Sequence, residues 1–159
     1  MTQMERMLER GYGETPVRVR YAETDQMGVV YHANYLVWFE IGRVEFIRQT
    51  GLDYAAMERE GAAIAVVEAR ARYKCPARYD DELLIRTTLV GVRGPVVRFR
   101  YEVVRAADEV LLCEGETTHI VVGRDMKKRE LPAKYAERFR ELTRHMQGKP
   151  ELEMVGAGK

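Results

Sequence analysis

The sequence predicts an α+β fold: an antiparallel five-stranded sheet wrapped around one long central helix, with an added C-terminal helix. Three observations carry this. His32 to Thr50 is apolar at helical spacing on most of its circumference. Four later stretches alternate with the period of a strand. Short connections such as Arg93-Gly94-Pro95 join them, which suits antiparallel hairpins. A helix apolar nearly all round must be surrounded by protein, and a sheet that curls around it is the economical covering.

Thr15 to Ala22 reads as a half-buried strand, with Val17, Val19 and Tyr21 on one face and Arg18 and Arg20 on the other. Glu23 to Tyr31 is a loop, and Gly28 allows a backbone turn that other residues resist. In His32 to Thr50 the apolar positions include Tyr35, Trp38, Phe39, Phe46 and Ile47, leaving a narrow polar stripe around Glu45, Arg48 and Gln49. Its Val, Ile, Trp and Phe residues also favour strands. Length and the i, i+3, i+4 spacing decide for a helix, ended by Gly51 at the C′ position. Leu52 to Arg59 is a short second helix, ended by Gly61. The period then changes to two over Ala63 to Tyr73, Glu82 to Val92, Val96 to Arg105 and Val110 to Val122. Val97, Phe99, Tyr101 and Val103 face one way; Arg98, Arg100 and Glu102 face the other. Ala133 to Met146 is an amphipathic helix.

A chain of 159 residues suits one domain with one core. The expected division is a flexible segment over 1–13, a single domain over 14–147 and a flexible tail over 148–159. The 26 basic and 25 acidic residues leave a net charge of +1, which gives no electrostatic case for nucleic-acid binding. No apolar run of about 18 residues exists, so no membrane insertion is expected. The polar N-terminus lacks the apolar region of a secretory signal, and a cytoplasmic location is expected. Cys75 and Cys113 sit far apart, outside any metal or redox motif, and read as reduced core or near-core thiols.

The loop and the start of the central helix form the most distinctive stretch: Tyr21-Ala-Glu-Thr-Asp25-Gln-Met-Gly28-Val-Val-Tyr31-His32-Ala-Asn34-Tyr35. It resembles the signature of the 4-hydroxybenzoyl-CoA thioesterase-like family, which has the hotdog fold. The resemblance continues through Glu40, Arg43 and Pro76 to Glu82, and covers roughly Val17 to Pro132. Glu23 departs from the pattern, since many relatives carry Asp there. The resemblance implies a thioesterase that hydrolyses acyl-CoA to free acid and CoA, acting as a dimer or tetramer with active sites at a subunit interface. It implies that Asp25 is the catalytic carboxylate and that His32, at the helix start, offers its backbone N–H to the thioester carbonyl.

These roles agree with what thioester hydrolysis demands. Oxygen must reach the carbonyl carbon, and Asp25 can serve as general base for water or as a nucleophile giving a mixed anhydride. The oxyanion must be stabilised, and the first N–H groups of a helix are unpaired and favoured by its dipole. Read without the motif, Asp25 caps the helix or pairs with an arginine. His32 is either a chemical group or only the carrier of a backbone donor. Tyr31 completes the candidate catalytic set, read as a packing or positioning residue rather than an acid. Glu40 and Arg43, spaced i, i+3, read as an ion pair. Asp25, His32 and Glu40 have no standard ligand spacing, so neither metal nor cofactor is expected. Lys74, Arg78, Arg124, Lys127, Lys128 and Arg129 are candidates for the CoA phosphates. Two alternatives stay open: a thioesterase that prefers acyl carrier protein, and a non-catalytic acyl-CoA binding module.

Overall fold

The computed structural model describes residues 1–146. The expected tail over 148–159 lies outside the described residues. In chain order the elements are α1 (Gln3–Arg10), β1 (Gly13–Arg18), a 3₁₀ turn (Tyr21–Glu23), α2 (Asn34–Gln49), α3 (Tyr54–Arg59), β2 (Ala63–Tyr73), β3 (Glu82–Arg93), β4 (Val96–Arg105), β5 (Leu111–Val122) and α4 (Ala133–Met146). The five strands form one antiparallel sheet in the order β1-β3-β4-β5-β2. The α+β class and the sheet wrapped on a central helix are as the sequence predicts.

The sheet holds α2 by close aromatic packing. Trp38, Phe39 and Phe46 are fully buried, as are Val97, Phe99, Tyr101 and Val103 on the facing strand. Phe39 stacks on Tyr101 with ring centroids 4.5 Å apart, and Phe46 meets Phe99 edge-on at 5.7 Å. Two glycines make the approach possible. A Cβ on Gly115 of β5 would stand 2.2 Å from the Phe39 ring, and one on Gly42 of α2 would stand 2.7 Å from Ile85. On its other side α2 leaves Leu36, Val37 and Ile41 exposed. A single chain therefore covers only part of the apolar circumference.

β2 contains a bulge that its sequence spells out. Ile64 and Val66 hold the inward phase at first, and Ala69, Ala71 and Tyr73 hold the opposite one afterwards. The pairing with β5 shifts between Val66 and Glu68 to match. Without the extra residue, Glu68, Arg70 and Arg72 would point inward; a bulge re-aims the rest of the strand.

Several expectations are corrected. Within the stretch over 1–13 lies a helix that the sequence reading did not assign: Thr2 and Glu5 cap α1 reciprocally, and Met7 is fully buried in the core. Tyr21 is 77% exposed, not on the inner face with Val19. Val19 makes the last strand-like bonds, to Asp80 and Asp81, and the 3₁₀ turn then swings Tyr21 outward. Cys75 is exposed, while Cys113 is in the core. Arg43 does not pair with Glu40; it donates to the Tyr101 hydroxyl at 3.1 Å, because the sheet below offers a buried acceptor. Among the described residues, no helix is long and apolar enough to cross a membrane.

Candidate active site

The loop after β1 is a closed turn. Thr24 and Val30 pair across its neck. Within it, the Asp25 N–H donates to Val29 O and the Gly28 N–H to Asp25 O, each at 2.9 Å. Gly28 takes a φ of 77°, which a side chain would resist. The Asp25 carboxylate accepts from the Met27 N–H through Oδ1 at 2.9 Å, an Asx turn that fixes its rotamer. Its Oδ2 has no hydrogen-bond partner among the described residues. Asp25 is half-buried.

Helix α2 begins beside this loop without a side-chain cap; Ala33 occupies the N-cap position. The N–H groups of Asn34, Tyr35 and Leu36 turn back to the carbonyls of Tyr31, His32 and Ala33. Among the described residues, the N–H groups of His32 and Ala33 have no acceptor. The Tyr73 hydroxyl donates to His32 O at 3.0 Å and pins this start to the end of β2.

Asp25 and His32 line one cavity of about 280 Å³, together with Val30, Tyr35, Tyr73 and Cys75. Burial raises the pKa of both Tyr35 and Tyr73, so these walls stay neutral phenols. Tyr31 is not in the wall. It is half exposed, with its ring against His32 at 4.5 Å between centroids. The structure thus brings Asp25 and His32 together and leaves Tyr31 flanking them. Tyr73 and Cys75 were not singled out from the sequence as site residues. The signal for Tyr73 is the change of phase in β2, which turns it inward.

Of the six basic candidates, Lys74 lines this cavity and Arg78 lines neither cavity described here. Arg124, Lys127, Lys128 and Arg129 line a second, open cavity of about 560 Å³ together with the acidic Glu60 and Asp125 and with Gly61 and Gly123. Arg129 is held there by a 3.0 Å bond to Gly61 O. None of these four has an ion-pair partner among the described residues. The cradle stands at the Ala63–Val122 end of the β2–β5 ladder, whereas Tyr73 and Cys113 mark the other end. Eleven residues of strand separate the ends by about 33 Å. Among the described residues, no three His, Cys, Asp or Glu side chains gather that could hold a metal ion.

A sheet wrapped on one long helix defines the hotdog fold, and similarity to known proteins makes the chain a thioester hydrolase of that fold. Residues 19–139 match the model of the thioesterase-like superfamily. The acyl-CoA thioester hydrolase YbgC of Escherichia coli is 37% identical over 127 residues, 79% of this chain and 94% of that protein. The DHNA-CoA thioesterase of Staphylococcus aureus superposes with a TM-score of 0.80 at 30% identity, over 84% of this chain and 91% of that one. A hypothetical protein of Thermus thermophilus superposes with a TM-score of 0.77 at 37% identity, over 81% and 98%. The chain belongs to the thioesterase-like superfamily.

Proposed function

We propose that the protein hydrolyses acyl-CoA to free acid and CoA, with Asp25 as catalytic carboxylate and the start of α2 as oxyanion donor. The observation that carries this is one cavity with two complementary walls. On one side Asp25 is fixed through Oδ1 with Oδ2 open; on the other lies the start of α2, where the N–H groups of His32 and Ala33, just before the first helical residue, lack acceptors among the described residues. A thioester carbonyl seated between them has its oxygen at the His32 N–H. Asp25 then takes a proton from an attacking water, or attacks the carbonyl carbon itself to give a mixed anhydride that water cleaves. The tetrahedral oxyanion collapses as the C–S bond breaks and the CoA thiolate leaves. One preorganised oxyanion donor is worth about 10²–10³ in rate. His32 acts through its backbone, and Tyr31 positions it from the flank.

We further propose a symmetric dimer paired along β2. This strand is an eleven-residue sheet edge with Val66 and Val67 both about half exposed. Antiparallel pairing of two copies places the Ala63 end of one beside the Tyr73 end of the other. The cradle of Arg124, Lys127, Lys128 and Arg129 then faces the partner's Asp25 cavity, where the phosphates of CoA need cations. Free Cys75 and Cys113 fit the reducing cytoplasm.

A panel of acyl-CoA esters, read by release of free thiol, tests the activity. Asp25→Asn tests the mechanism, since Asn keeps the shape and caps a helix about as well. The expected loss is about 10²–10⁴-fold, with fold and substrate binding retained. A folded variant within about threefold of wild type refutes the role. Trapping an acylated Asp25 selects nucleophile over base.

A further inference from the structure

We infer that Glu23 is a positioning residue that locks the Asp25 loop to the start of α2, so that carboxylate and oxyanion donor share one reference point. This rests on the thioesterase reading above. Glu23 lies two residues before Asp25 and is only 5% exposed. Each of its polar groups is engaged. Its N–H donates to Arg20 O at 3.0 Å, and its carbonyl accepts from the Tyr31 N–H at 2.9 Å. The same carbonyl accepts from Asn34 Nδ2 at 2.8 Å. Carboxylate Oε1 accepts from the Arg20 N–H at 2.8 Å, and Oε2 from the indole Nε1–H of fully buried Trp38 at 3.0 Å.

The partners divide into two sets. Arg20 and Tyr31 bracket the loop that carries Asp25. Asn34 and Trp38, four residues apart, lie on one face of the first turns of α2. Glu23 therefore fixes both the closure of the loop and the rotation of the helix that starts just after His32. It does not line the Asp25 cavity and touches no reacting atom. Its effect passes through Asp25 and the helix start. Misplacement by about 1 Å at a reacting centre costs on the order of 10²-fold in rate. A buried carboxylate is also tolerated only while hydrogen-bonded.

The test uses Glu23→Gln, Trp38→Phe and the double variant, with kcat and KM measured on one acyl-CoA ester per folded molecule. Gln keeps the shape but must turn its NH₂ toward either the indole N–H or the Arg20 N–H, donor against donor. The expected result for Glu23→Gln is a kcat at least tenfold lower, with KM within about threefold. In the double variant the NH₂ faces a phenyl ring and the amide oxygen keeps Arg20, so kcat recovers above the product of the two single losses. A Glu23→Gln enzyme with lower thermal stability but kcat within threefold of wild type is a purely structural change and overturns the inference. If that variant does not fold, Trp38→Phe decides alone, and wild-type kcat there overturns it. An inactive Asp25→Asn beside a fully active Glu23→Gln sinks only this inference. A wild-type chain that hydrolyses no thioester sinks the catalytic reading as well.

Discussion

His119 sits where an imidazolium cannot be accommodated. It is fully buried, its Nε2 lies 2.8 Å from Thr117 Oγ1, and Thr117 in turn contacts the Tyr101 hydroxyl that Arg43 holds. Burial first, and the Arg43 charge second, push its pKa down from 6.5 to about 3. The unfolded chain takes up a proton near pH 6.5 that the native chain refuses, so stability falls as pH drops from there toward 3. The slope from this one group approaches about 1.4 kcal/mol per pH unit. Urea midpoints between pH 5 and 7 should show this slope in the wild type, and His119→Gln should flatten it; equal slopes refute the assignment. No motif surrounds His119, so its role was illegible in the sequence. Asp25 and His32 were singled out through the family resemblance, which one continuous loop motif carries. Glu23 was legible only as a departure from a pattern, since its meaning depends on where Trp38 comes to lie.

At the scale of elements, α2 was read within two residues because its apolar spacing and length are set by its own sequence. The loop and Gly51 supplied its ends. Phe39 and Phe46 are both fully buried against the β4 aromatics. Either one changed to Ala should cost about 3–5 kcal/mol in chemical denaturation. If both variants unfold at the wild-type midpoint, the helix is not the core of the fold. The strands were also legible, but their faces were less so. The bulge at Val67 inverts the second half of β2, and simple alternation gives no warning of an inserted residue unless the phase is tracked through it. At the other end, α1 was missed because it is only eight residues long, although Met4, Met7 and Leu8 keep helical spacing and pack on the core. Its clearest signal is the Thr2–Glu5 capping pair.

For the whole molecule, sequence pattern pointed to one domain, and the family resemblance together with exposed strand edges pointed to an assembly. The proposed β2 pairing predicts twice the monomer mass in sedimentation, with Leu36, Val37 and Ile41 on the exposed side of α2 as further apolar surface to cover. Val67→Lys places charge on that edge and should yield monomers that lose turnover together with dimerisation. A fully active monomer ends the shared-site reading. The two edges of the sheet differ in a way that bears on association itself. β2 is long and open; β1 has six residues, carries Pro16 without an N–H to offer, and holds Glu14 in an ion pair with Arg86. A surface that matches only its own copy closes on itself after one union. With β2 paired as proposed and the opposite edge blunted, the sheet has no second growing end, and concentrated solutions of the protein should not thread into fibres.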